Sequence, residues 1–313
     1  MPSDQLLPIR EIARLTGVNP VTLRAWERRY GLVVPQRTSK GHRLYSSDQV
    51  QRIQAIVSWL NRGVAVSQVL PLLDADPPPA GRNTGDDWSV LSAHLTNCIA
   101  HLGERQLDQQ FNQAMALYPA ATLCEQLLLP LLDQLEVRWQ VHPCAQVERA
   151  FFHSWLRSKL GLRVYHNNRQ LNGVPVLLLS TGNQAIDPHL WLCAWLVSDA
   201  GCPVEVFDLP LHGRDLAIAA ERLGAGALLL SVNTVADCEQ LRRDLNPLEV
   251  PKLLFGAAVI LHKQALGDDP GWHLLDTPLA AQRCLHGLGA LAAPISTETL
   301  NATDLAAQRP ANP

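Results

Sequence analysis

"PVTLRAWERRYGLVVPQRTSKGHRLYSSDQV", residues 20–50, gathers Arg24, Arg28, Arg29, Arg37, Lys40 and Arg43 around Trp26, Tyr30 and Tyr45. The whole chain carries a formal charge of −3, so this excess of cations is local. Residues 1–73 hold ten Lys and Arg against four Asp and Glu, a net +6, which leaves −9 on the remainder. Asymmetry of that kind marks a polyanion-binding head on a body with a different task. A merely solvated charged face fits less well, because the cations are interleaved with aromatics and ordered by a motif.

Just upstream, "PIREIARLTGVNPVTLRAWERRYGL" (residues 8–32) reads as helix–turn–helix. Ile9, Ile12, Ala13 and Leu15 form the inward face of the first helix, and Gly17 allows the turn. Asn19 caps the second helix and Pro20 fills its first position, where a missing N–H costs nothing. Val21, Leu23 and Trp26 are expected inward, which leaves Thr22, Arg24, Arg28 and Arg29 outside. A short helix with arginines on its free face fits the major groove of DNA. "VVPQRTSKGHRLYS" (residues 33–46) then reads as a β-hairpin wing with Lys40 in its Thr38–Gly41 tip and His42 and Arg43 on the return strand. A third helix starts at Ser46 or Ser47 and a fourth in "AVSQVLPLL".

These residues carry a family resemblance. "REIARLTGVNPVTLRAWERRYGLVVPQRTSKGHRLYSSDQVQRI" (residues 10–53) strongly resembles the winged helix–turn–helix of the MerR-type transcription regulators. It is most similar to the branch containing the curli and biofilm activator and the light-sensing, cobalamin-binding repressors. The resemblance covers about residues 7–73 and implies a second helix in the major groove and a wing on the flanking phosphates. Carried over, the DNA contacts are Thr22, Arg24, Arg28, Arg37, His42, Arg43 and Tyr45, and the outward Arg29 and the tip residue Lys40 are added to them.

Farther along, "DADPPPAGRNTGDD" reads as a linker, because consecutive prolines fit neither helix nor sheet interior. Residues 74–87 are assigned to it. Residues 88–168 read as four amphipathic helices, a small bundle. From Val174 apolar strands alternate with helices ("VPVLLLST", "PVEVFDL", "ALLLSV", "PKLLFGAAV"), which calls for parallel strands and crossovers. Residues 169–295 are therefore expected to form a flavodoxin-like doubly wound sheet. Its ligand loops would be Ser180–Gln184, Leu209–His212, Ser231–Thr234 and Gly256–Val259. Residues 296–313 read as a loose tail.

The body resembles, more weakly, the cobalamin-binding module of the same branch and of corrinoid methyltransferases. The resemblance points to Trp139, Glu148, Gln184, His189, Ser231 and Gly256 as cofactor-binding positions. It also shows departures. Arg149 stands where the cap has a histidine, Ile186 where the cobalt-ligating histidine belongs, Gln184 in the place of its acid, and His189 one helical turn late. No cofactor is therefore expected, although the resemblance alone would admit cobalamin. The scattered cysteines and histidines give no zinc pattern.

The expected protein is a cytoplasmic, homodimeric regulator whose partners are an operator duplex and RNA polymerase. Its start lacks a signal-peptide pattern, and no apolar run reaches ~18 residues, the length needed to span a membrane. The alternatives are a cobalamin-dependent, light-sensing regulator and a corrinoid methyl-transfer or mutase subunit. The second would not need a DNA-reading head.

Overall fold

A computed structural model describes residues 6–73, 85–141, 143, 145–182, 186–267 and 271–289. The tail read at 296–313, position 184 and most of the linker stretch lie outside the described residues.

In the head, β1 (Leu7–Pro8) leads into α1 (Ile9–Thr16), and Gly17 closes that helix. α2 (Pro20–Ala25) runs directly into a wider π-type turn, Trp26–Tyr30. Asn19 caps α2 by accepting the Val21 and Thr22 amides. The wing is β2 (Gln36–Arg37) against β3 (Arg43–Tyr45), and β3 also pairs with β1, all antiparallel. At its tip Gly41 has φ +79°, a conformation glycine adopts without steric cost. His42 lies in this turn, one residue short of the return strand on which it was expected. α3 (Ser47–Asn61) and α4 (Leu70–Leu73) complete the head.

The body begins at α5 (Gly85–Ala100), so helix starts within the last three positions of the stretch read as linker. α6 (Glu104–Leu117), α7 (Ala120–Leu123) with its π-turn extension into α8 (Leu129–Val141), and α9 (Ala145–Asn168) form the bundle. The sheet contains β4 (Val176–Ser180), β5 (Val204–Phe207), β6 (Ala227–Ser231), β7 (Lys252–Phe255) and β8 (Trp272–Leu275). Their spatial order is β5-β4-β6-β7-β8, all parallel. That is the flavodoxin order.

Crossovers are supplied by α10 (Pro188–Asp199), α11 (Gly213–Leu223), α12 (Cys238–Leu245) and α13 (Val259–Leu266), and α14 (Pro278–Gly287) follows the last strand. Alternation sorts the strand residues: Val176, Leu178, Leu229 and Phe255 join a core with α10, α14 and the bundle, whereas Leu177, Leu179, Leu228 and Leu254 face α11, α12 and α13. β4 and β6 are buried along their whole length, as their unbroken apolar runs require.

Head and bundle are in direct contact. The Trp26 indole donates to the Leu117 carbonyl at 2.8 Å, and the Trp88 indole to the Gly63 carbonyl at 3.0 Å. Leu117 and Tyr118 of the body pack into the head's own core. Among the described residues, no helix is long and apolar enough to cross a membrane.

Candidate nucleic-acid interface and the crevice of the body

The second helix exposes Arg24, Arg28 and Arg29, and the wing exposes Arg37, Lys40 and His42. Arg43 is half-buried. Its guanidinium donates through Nε to Glu27 Oε2 at 2.5 Å, while Arg37 reaches Glu27 Oε1 at 2.7 Å. Glu27 stands on the π-turn, so one carboxylate ties the wing to the recognition helix. Burial alone would push the Glu27 carboxyl up, but the hydrogen bonds from Arg43 and Arg37, with their charges, hold it below the ordinary carboxylate range.

Two expected contacts are corrected. Thr22 and Tyr45 are fully buried, and neither hydroxyl has a hydrogen-bond partner. The reading of α2 exchanged two neighbours: Val21, expected inward, is 58% exposed and Thr22 takes its place, while Leu23 and Trp26 are buried as expected. The Asn19 cap fixes where the helix starts, and Leu23 and Trp26 then turn Thr22 into the core with them. Leu15 is likewise exposed, contrary to expectation.

Arg10, which sequence reasoning counted as a cation but not as a contact, joins the site. A depression of about 290 Å³ is lined by Pro8, Ile9, Arg10, Arg24, Gly41, His42 and Arg43. Three guanidinium-bearing residues, from α1, α2 and the wing strand β3, thus border one concavity. Its dimensions and charge suit a backbone phosphate.

At the carboxyl ends of the strands, the groups assigned to a ligand are satisfied by one another. Asp187 caps α10 through the His189 and Leu190 amides, and it accepts from Ser180 Oγ at 3.0 Å and from Asn233 Nδ2. Asn233 also donates to Ser231 Oγ at 2.8 Å. Gly256, at φ +129°, lets its loop approach closely, since a Cβ there would lie 2.6 Å from Asn233 Oδ1 and 2.7 Å from the Val232 carbonyl oxygen. Helix α9 closes down on the end of β5: Arg157 pairs with Asp208 at 2.7 Å and lies over the Trp191 ring, whose indole also donates to Asp208.

In the bundle, Glu148 is buried and accepts from the Trp139 indole at 3.0 Å and from Arg138 through both oxygens. Arg149 pairs with Glu136 and lies over Trp139. His153, one turn on, is buried with its Nε2 unpartnered and its ring edge against Trp139. Burial pushes this imidazole down to about 4, and the Arg149 charge acts in the same direction.

These residues do not fit a cobalt-ligated corrin. Ile186 has no donor atom. His189 occupies the first turn of α10 with its Nδ1 3.8 Å from Asp187, and Glu148 is locked inside the bundle. Among the described residues no cluster of His, Cys, Asp or Glu has metal-binding geometry.

A helix–turn–helix with a wing braced against its second helix, guanidiniums exposed on that helix and Lys40 exposed on the wing, is a winged helix–turn–helix DNA-binding head. The chain belongs to the MerR-type transcription regulators and is a DNA-binding regulator. The model of the MerR HTH family regulatory proteins matches residues 7–76. The HTH-type transcriptional regulator MlrA of Salmonella typhimurium is 31% identical over 255 residues, covering 78% of this chain and 99% of that protein. The HTH-type transcriptional repressor CarA of Myxococcus xanthus is 32% identical over 137 residues, covering 43% of this chain and 46% of that one. A solved cobalamin-binding protein from Desulfitobacterium hafniense DCB-2 aligns over 63% of this chain and 97% of its own, at 14% identity and a TM-score of 0.30, a likeness too loose to carry an inference.

Proposed function

We propose that the chain acts as a homodimer on a two-fold operator, with residues 1–73 reading DNA and residues 88–168 and 169–295 forming a bundle and an α/β module that pair two copies. The carrying observation is the exposed Arg24, Arg28 and Arg29 on a helix whose wing is held in place by Glu27. Arg24 and Arg28 reach base edges, and Arg10, Arg29, Arg37, Lys40, His42 and Arg43 face phosphates. A single such head touches little DNA, and two-fold pairing on a palindrome supplies the missing contact. DNA as partner puts the protein in the cytoplasm, where RNA polymerase is the machinery that its binding recruits or excludes. The body serves assembly and sensing rather than catalysis, and no cobalamin is part of this reading.

Selection of duplexes from a random pool, followed by anisotropy with the selected site, tests the proposal. Binding should follow a two-fold motif with two chains per duplex, and Arg24→Ala with Arg28→Ala should erase the preference. A single chain bound per site, or a preference that survives both substitutions, contradicts it.

A further inference from the structure

Just beyond the Ser231–Thr234 and Gly256–Val259 loops, Cys238 and His262 form a pair that the regulatory reading does not use. Cys238 is the first residue of α12, and its sulfur lies 3.2 Å from Nδ1 of His262 on α13. His262 is buried, and its Nε2 accepts the Ala236 backbone N–H at 3.1 Å. A ring nitrogen that accepts from an amide carries no proton, so the proton of the neutral ring sits on Nδ1. That N–H points at the sulfur. The arrangement is a nucleophile, a ring at hydrogen-bond distance and a third group fixing the ring. Here the ring is a donor that supports negative charge on sulfur, not a base.

Cys124 is pushed up to about 12 and Cys202 to about 11 by burial, and burial also raises Cys193 and Cys284. Of these, Cys124, Cys193 and Cys202 are buried, and buried thiols of that kind are inert. Cys238, Cys98 and Cys284 are all part-exposed, and the Cys238 sulfur has an imidazole N–H at 3.2 Å.

We propose that Cys238 is a modification site for hydroperoxides, positioned by His262. The thiol proton leaves to solvent and the thiolate attacks the distal oxygen of the peroxide. An S–O bond forms and the O–O bond breaks. Sulfur is oxidised by two electrons to a sulfenic acid, and the departing alkoxide or hydroxide takes a proton from water.

The test uses the full-length reduced protein, equimolar hydrogen peroxide and dimedone, with each cysteine peptide quantified by mass spectrometry. Cys238 should trap about tenfold faster than Cys98. His262→Leu should bring Cys238 down to the Cys98 rate, whereas His262→Asn, which can present an amide N–H in place of Nδ1–H, should retain most of the difference. Equal trapping of Cys238 and Cys98 in the unaltered protein overturns the proposal without any variant. A His262→Leu chain with native circular dichroism and an unchanged Cys238 rate overturns it as well.

Discussion

Glu27 Oε2 accepts from Arg43 Nε at 2.5 Å, so a residue of the recognition helix holds a residue of the wing. Arg37 completes the fork on the other carboxylate oxygen. For stability such part-exposed pairs contribute little, about 0.2–1 kcal/mol. Their effect is geometric: they set the angle between two elements that must meet one duplex. Glu27→Gln should leave thermal stability nearly unchanged yet weaken operator binding about tenfold, the loss expected when positioning contacts are misaligned by a kcal/mol or two. Binding to random duplex should hold or rise, because two cations are released. Anisotropy on both duplexes separates these effects, and equal losses on both would refute the bracing role.

Arg24→Ala and Arg28→Ala should differ from changes in the wing. Loss of a base-edge contact costs about 1–3 kcal/mol and relaxes specificity at one position. Lys40→Ala should weaken all sequences alike and lower the salt slope by about 1, as one phosphate contact is lost. A salt series on the selected site and on a single-base variant reads both.

Thr22→Val and Tyr45→Phe test the burial of these two side chains. Each removes a buried hydroxyl that has no partner, so each should be neutral or stabilising, by up to about 1 kcal/mol. Operator affinity should stay within about twofold, since neither hydroxyl reaches the surface. Urea denaturation together with anisotropy measures both, and a tenfold loss of affinity with unchanged stability would restore these residues to the interface.

The head was legible because its signals are local. Asn19-Pro20, Gly17 and Gly41 each announce a cap, a turn or a tip within a few residues. What escaped was set at a distance. The Thr22–Val21 exchange depends on which face the head's core covers, and Leu117 and Tyr118 of the body contribute to that core. Glu27 reads as one more surface acid until the chain returns with Arg37 and Arg43. In the sheet, β4 and β6 declared themselves by unbroken apolar runs. β8 (Trp272–Leu275) did not, being a half-buried edge strand without such a run. Ser231 ends β6 and Gly256 directly follows β7, at the strand ends that the alternation pointed to. The mutual satisfaction of the polar groups there was not readable, because Asp187 and Asn233 meet across 46 positions.

Trp26 couples head to body, and Trp26→Phe should show it. The substitution removes the indole N–H from the Leu117 carbonyl and leaves a smaller ring in a fully buried site. A cost of about 1–3 kcal/mol is expected from the lost hydrogen bond and the cavity. Calorimetry of the unaltered protein should show head and bundle melting together, and the variant should separate them or lower both. Because Arg24 and Arg28 are exposed, DNA affinity well below the transition should change little. An unaltered melting profile would mean that the contact is not a structural coupling.

His153 gives the body a pH dependence whose sign follows from its surroundings. Its imidazole is buried beside Trp139, with Arg149 and His189 disfavouring the charged form and Asp187 partly opposing them, and it titrates at about 4. The unfolded chain protonates the same group near 6.5. Between those values the unfolded state binds more protons, so stability rises with pH. The contribution is fully present above about 6.5 and is lost as pH falls towards 4, reaching on the order of 2–3 kcal/mol. Urea unfolding of the full chain from pH 4.5 to 7.5 should show this slope, and His153→Leu should flatten it by about one proton. Leucine keeps the site apolar and removes a buried nitrogen without a partner, so the variant should match or exceed the parent at pH 5. A variant that retains the full slope would assign the titration to another group.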